Sequence, residues 1–309
     1  MRTPLFDRKW RRSSRPGHAL GLAVLLAIFG SFFPGNGTAV LHCHAEPFAA
    51  HPPARIVSLA PGVTEIVFAL GEGQRLVGVT ELCDYPEKAR SIARVGGFLS
   101  PDLERIAALK PDLCLAAWNG SPPPATGRMK ELGIPFFAVH PEDMDGVMEA
   151  VGTIGRLLDA GPKADELVRG MRERLDRVKS RIALAGNLPG VFFQIGVAPI
   201  VSAGGHTLVD ELITLAGGRN LAAGPVPFPR FSREQVLALR PEVIVVSSMG
   251  RREVFEKTAD DWREWQSLPA AGADRIHVVD SNLFDRPTPR LIEGLELLAR
   301  IIHPELFGI

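Results

Sequence analysis

From residue 56 onward the chain alternates between two patterns of apolar positions. Short runs of consecutive apolar residues occur at 56–59, 76–80, 112–117 and 135–139, as expected of strands covered on both faces. Between them, apolar residues recur at helical spacing over 63–70, 103–109 and 128–132, and Gly71 stops the first of these segments. Strands and helices that alternate across short loops predict a parallel sheet with helices on its faces.

Over 163–184 the pattern changes. Val168, Met171, Leu175, Val178 and Ile182 recur at spacings of three, four, three and four, with charged residues between them. This predicts one amphipathic helix of about 20 residues, closed by Gly186 and Pro189. The alternation then resumes, with strands at 191–195, 243–247 and 276–279. Helices are expected at 207–215, from Ser232, and from near Pro289 to Ile302. Ser232 followed three residues later by Gln235 has the form of a capping box.

The stretches IAALKPDLCLAA (106–117) and VLALRPEVIVVS (236–247) share one plan: a helix end, Leu-basic-Pro, an acid, then an apolar strand. Two copies of that plan, one on each side of a long helix, predict an α/β chain of two lobes joined by a spine. The expected divisions are a first lobe over 53–150, a linking helix over 160–186 and a second lobe over 187–309.

The first 45 residues do not fit this alternation. Arg8, Lys9, Arg11, Arg12 and Arg15 precede an apolar run over 19–33, which Pro34 and Gly35 break. A basic start, an apolar centre too short to span a bilayer comfortably and a small residue at Ala45 predict a secretory signal peptide over 1–45. Ala50 is an alternative cleavage site, and a lipid anchor at Cys43 or a retained membrane anchor are alternatives to cleavage. Loss of residues 1–45 removes six basic residues and one acid from totals of 35 and 35, leaving 29 against 34. A net charge of −5 argues against a nucleic-acid partner. Of the three cysteines, Cys83 in a loop and Cys114 in a strand would remain, as two unpaired thiols.

Ligands of open parallel sheets bind beyond the carboxyl ends of the strands. Pro61, Tyr85, Trp118, Phe284 and Arg286 all fall just after predicted strands, and Phe228 lies in a proline-rich loop before a helix. Tyr85, in Cys83-Asp84-Tyr85-Pro86, is the single tyrosine of 309 residues. Aromatic walls with few charges suit a large, flat, partly apolar ligand. No Gly-x-Ser-x-Gly elbow, His-Glu-x-x-His, Walker loop or Gly-x-Gly-x-x-Gly after a strand is present. His206, before the helix at 207–215, marks either a plain helix start or a place where backbone amides hold an anionic group.

The segments RIVSLAPGVTEIVFALG, CDYPEKA, LERIAALKPDLCLAAW, LAGGRN, VPFPRFSREQVLALRPE and LFDRPTPRL, in this order, resemble the periplasmic substrate-binding proteins of ABC importers for vitamin B12 and related metal chelates. The resemblance covers about residues 53–303. It implies the class III architecture, two Rossmann-like lobes with parallel sheets joined by one long backbone helix. It also implies a ligand held between the lobes, no chemistry performed on it and no cofactor, and delivery to a membrane permease by a monomeric periplasmic protein. Tyr85 and Trp118 match aromatic residues that pack on the corrin, Phe228 matches an aromatic position, and Arg286 matches an arginine of the facing lobe. Pro61 and its backbone line the cleft. Glu234 matches the second-lobe acid that docks on the permease. The corresponding first-lobe place, Pro122-Pro123-Pro124, holds no acid, which leaves Glu131 and Glu142 open.

The departures bear on the ligand. Two aromatic positions of the family are Ile195 and Val201 here, and an aspartate and a tryptophan are Asn282 and Leu283. A less aromatic and less acidic pocket admits cobalamin, cobinamide or another corrinoid. Haem, which the same architecture carries with a Tyr-Pro in this loop, is the second expectation, followed by a ferric siderophore. The rival from a different class is a two-lobed chelatase-like enzyme, which would need convergent histidine and carboxylate groups at the strand ends.

Overall fold

A computed structural model describes residues 51–117, 125–248 and 252–308. The expected signal peptide and Trp118 lie outside the described residues. The first lobe holds β1 (Ile56–Ser58), β2 (Leu76–Val79), β3 (Leu113–Ala117) and β4 (Phe136–Val139), all parallel, in the order β2-β1-β3-β4. Its helices are α1 (Pro61–Ala69), α2 (Leu103–Ala108) and α3 (Ala125–Glu131). The chain leaves β1 toward β2 on one side and reaches β3 on the other, so the switch point of the sheet lies between β1 and β3. The loops after these strands open on that crevice.

Two helices that pack on each other follow, α4 (Met144–Leu157) and α5 (Gly161–Ile182). At 22 residues, α5 is about 33 Å long. The helix α4 is absent from the elements expected above, although its signals are present. Asp143 caps it by accepting from the Gly146 amide at 2.6 Å, and Val147, Val151 and Ile154 are buried at helical spacing.

The second lobe holds β5 (Gly190–Gly196), β6 (Ile200–Ser202), β7 (Arg219–Asn220), β8 (Arg230–Phe231), β9 (Val243–Ser248) and β10 (Ile276–Asp280). Its helices are α6 (Leu208–Leu215), α7 (Arg233–Leu239), α8 (Arg252–Arg263), α9 (Pro269–Gly272), α10 (Leu291–Ile302) and α11 (Pro304–Phe307). Strands β10, β9 and β5 are parallel, but β6 returns antiparallel on β5 and β8 antiparallel on β6. The expected parallel sheet is extended in this lobe by antiparallel strands, because a short turn over 197–199 joins β5 to β6. A connection that short can only close an antiparallel pair.

The repeated plan is a structural repeat. Lys110 and Arg240 both adopt left-handed backbone, at φ 47° and 49°, ahead of Pro111 and Pro241. Asp112 then accepts from the Ala54 and Arg55 amides at 2.9 and 2.8 Å, and Glu242 accepts from the Gly190 amide at 2.7 Å. In both lobes the acid after the proline ties its segment to the chain at the start of the lobe's first strand. The capping box of α7 also forms, with Ser232 and Gln235 each bonded to the other's amide.

The helix pair belongs to both hydrophobic cores. Met144, Val147 and Met148 of α4 and Met171, Leu175 and Val178 of α5 pack with second-lobe residues such as Phe193, Ile213 and Leu295. Val151 and Ile154 of α4 and Ala164 of α5 pack with first-lobe residues such as Ile66, Val67 and Leu113. The N-terminal end of α4 is tied to the second lobe, where the Met144 amide donates to Glu211 at 2.9 Å, and the bidentate Arg174–Glu296 pair ties α5 to α10.

The close approach of the two helices depends on Gly155, where an added Cβ would stand 2.4 Å from that of Ala164. Gly155→Val is expected to lower stability by about 1–3 kcal/mol through overpacking, read as a lower urea midpoint at unchanged slope.

Candidate functional site

The crevice side of the first lobe is assembled around α1. Pro61 opens this helix directly after β1, in the position where a missing N–H costs nothing. At Gly62 the second lobe comes close: a Cβ there would lie 3.1 Å from the carbonyl oxygen of Pro287. One turn further on, Glu65 is buried, with 4% of its surface exposed. An isolated carboxylate could not be buried so deeply without partners. Two arginines of the second lobe supply them. Arg290 donates from Nε and Nη2 to Oε2 and Oε1 of Glu65 at 2.8 and 2.9 Å, and Arg286 donates to Oε1 at 3.2 Å.

The loop after β2 meets the same arginines. Cys83 is buried within 3.1 Å of the hydroxyls of Thr64 and Thr80, and Arg94 braces the loop by donating to the carbonyls of Thr80 and Cys83 at 2.9 Å. Arg286 donates to the Leu82 carbonyl at 3.3 Å and to the Asp84 carboxylate at 2.8 Å. Burial pushes the Asp84 carboxyl up, but hydrogen bonding and charge from Arg286 outweigh it and hold the group below the usual carboxylate range. Tyr85 follows, joined to Pro86 by a cis peptide bond and 45% exposed. The Arg290 guanidinium lies over its ring, 3.7 Å from the centroid.

Of the residues expected at the site, Tyr85 and Arg286 therefore lie at the junction of the lobes, and Pro61 directly precedes Gly62, where the second lobe comes close. Phe228 is 59% exposed in a different loop, which closes on Gly204: the Gly204 amide donates to the Pro227 carbonyl at 2.8 Å, and a Cβ on Gly204 would stand 2.1 Å from the Val226 oxygen. Glu234 is exposed in the first turn of α7, where hydrogen bonding to Ser232 holds its carboxyl below the usual range.

One expectation needs correction. Phe284 is fully buried and packs edge-on against Phe193 at 5.4 Å, so it belongs to the second-lobe core and not to a cleft wall. Its position after β10 does lie at a strand end, but a short 3-10 turn over Ser281–Leu283 sends the side chain inward. At His206 the helix start already has its own acceptors. Thr207 accepts from the Asp210 amide at 3.2 Å, and the His206 amide donates to Asp210 at 3.3 Å, so a plain helix start describes this place better than an anion site.

Glu65, Asp84 and Arg290 were not among the expected site residues. The sequence carries one signal for Glu65, an acid in the middle of an apolar helical segment. Arg290 lies four residues beyond Arg286, and nothing local marks its partner 225 positions earlier. Cys83 and Cys114 are both unpaired and buried, and burial pushes the Cys114 thiol up to about 12.

Two α/β lobes with parallel sheets, joined through a helical backbone, are the architecture of the class III periplasmic binding proteins. The chain belongs to the periplasmic binding protein family, which matches residues 56–283, and it is a binding protein, not an enzyme. It is 31% identical over 272 residues to the vitamin B12-binding protein of Yersinia pestis, covering 88% of this chain and 94% of that protein. Among solved structures it is similar to the periplasmic vitamin B12 binding protein BtuF of Vibrio cholerae. That likeness has a TM-score of 0.70 at 31% identity and covers 84% of this chain and 99% of the other. It is also similar to the periplasmic heme-binding protein RhuT of Roseiflexus sp. RS-1, with a TM-score of 0.72 at 27% identity over 82% and 98% of the two chains.

Truncation of a fully buried phenylalanine removes core volume, so Phe284→Ala is expected to cost about 3–5 kcal/mol of stability in denaturant unfolding. Unchanged stability would return Phe284 to the cleft. For Asp84 the folded carboxyl titrates lower than the unfolded one, so the stability it contributes is present above about pH 3.8 and is lost as pH falls through the folded value. Asp84→Asn is therefore expected to lower Tm at pH 7, with the difference from wild type closing in acid. A difference that does not narrow at all as pH falls below about 3.8 would show that charge is not its origin.

Proposed function

We propose that the chain is an exported binding protein that captures a corrinoid, cobalamin or a close relative, between its lobes and delivers it to the permease of an ABC importer. The observation that carries this reading is the likeness, over nearly their whole length, to proteins named for vitamin B12 binding. The junction is compatible with it. Tyr85 presents a half-exposed ring there, and Arg286 and Arg290 are matched by Glu65 and Asp84. Charges that already cancel favour a macrocycle whose rim carries neutral amides over one whose rim carries free carboxylates, because the latter would compete with Asp84 and Glu65 for the arginines.

Ligand binding in this reading is stacking and apolar burial of a rigid ring, with Tyr85, Trp118 and Phe228 as the aromatic contacts and Pro61 and Arg286 at the cleft edge. Glu234 docks on the permease. The leader over 1–45 is removed on export, and the protein works as a monomer. No helix among the described residues is long and apolar enough to cross a membrane. A second reading, a haem carrier, is favoured by the exposed Tyr85 ring, whose phenolic oxygen could bind ferric iron, and by the likeness to heme-binding proteins of the same fold.

A spectral screen of the protein with cyanocobalamin, cobinamide and haemin tests both. A perturbed corrin spectrum with a Kd of about 1 μM or tighter, roughly −8 kcal/mol, is the expected result. A new Soret band without a corrin response would overturn it in favour of haem. Tyr85→Ala is expected to weaken corrinoid binding by about 1–3 kcal/mol. Tyr85→Phe should preserve most of the affinity if the ring stacks, and should abolish it if the oxygen binds iron.

A further inference from the structure

We propose that Arg290 is a positioning residue for the ligand wall: carried by the second lobe and fixed by Glu65 of the first, it backs one face of the Tyr85 ring, so that the ring offers its other face to a planar ligand. The proposal rests on the reading above that Tyr85 faces the ligand.

The geometry has three parts. Glu65 is a fixed support, since it lies on a regular helix and is almost completely buried. Its two carboxylate oxygens take Nε and Nη2 of Arg290 at 2.8 and 2.9 Å. A guanidinium held along one edge by both oxygens of a carboxylate has its plane set by that carboxylate, and it can shift only by breaking a charge-assisted pair. The Arg290 Cζ atom lies over the Tyr85 ring, 3.7 Å from the centroid. A phenol at the mouth of a cleft would otherwise sample several rotamers and be ordered only when ligand arrives. Backed by a fixed cation, it is ordered beforehand, and less affinity is lost on binding.

Lysine could not replace Arg290 in this role. An ammonium on a flexible stem can neutralise Glu65 but offers no plane to stack on the ring. Because the support comes from one lobe and the stacking group from the other, the wall is complete only while the lobes are joined at Glu65.

Tyr85 is the only tyrosine in the chain, so protein grown with 3-fluorotyrosine gives a single 19F resonance that reports on this ring without any ligand. Arg290→Gln and Arg290→Lys are both expected to move that resonance. Arg174→Gln, which removes a different ion pair at Glu296, should leave it in place. Affinity for cyanocobalamin is then measured in a double-mutant cycle. Either Arg290 substitution should weaken binding by about 3- to 30-fold with Tyr85 present, and by less than about twofold in a Tyr85→Ala background.

A resonance unmoved by both substitutions, or an equal loss of affinity in the two backgrounds, overturns the proposal and leaves Arg290 as a lobe-joining residue only. If the wild-type protein takes up haemin and not cyanocobalamin, the corrinoid reading fails and the same cycle, read with haemin, decides the proposal. A wild-type protein that binds neither overturns the ligand reading, and the proposal with it.

Discussion

The carboxylate of Glu65 is the point on which the arrangement of the two lobes turns. It sits in the apolar interior of a first-lobe helix, and the groups that make its burial tolerable are two arginines of the second lobe. Removing one side of such a pair generally costs about 3–5 kcal/mol, because the remaining charge is left buried without a partner. An apolar residue at this position would be cheaper to bury. What the carboxylate adds is direction: two oxygens fix two guanidiniums, which in turn hold Asp84, the Leu82 carbonyl and the face of Tyr85. Apolar packing could bring the lobes together without specifying any of those contacts.

A stiff frame and a fixed wall suit a large rigid ligand. The connection between the lobes is not a single rod but two packed helices, each contributing to both cores. Such a connector resists wide opening more than flexible strands would, and the affinity of a rigid macrocycle then depends less on ordering the protein than on the quality of the contact surface.

Much of the fold was legible because it rests on local periodicity. The strand ends and most helix starts lie within a few residues of where the apolar pattern puts them, and Ser232 and Gln235 form the cap that their spacing implies. What escaped was carried by weaker or nonlocal signals. The helix over Met144–Leu157 has caps and a buried stripe, but the glycines at 146, 152 and 155 dilute its pattern. The antiparallel strands of the second lobe are only two or three residues long, too short to show a period. A strand-end rule picked out Tyr85 and Arg286, which the fold brings to the junction of the lobes, but gave Phe284 the wrong environment, because position along the chain does not say which way a side chain turns. Glu65, Asp84 and Arg290 form a set only after folding brings together residues more than 200 positions apart.

The shared helix pair also bears on how such a protein could be rebuilt. Residues 144–148 lie with the second lobe and 151–154 with the first, while the following helix passes from the first lobe at Ala164 to the second at Met171. A chimaera made by cutting at the turn between the helices, the natural place to divide the sequence, would take part of each core away from the lobe it completes. The lobes repeat one design, but they are not interchangeable modules: a functional exchange would have to carry both helices with one lobe and match their far ends to the interior of the other.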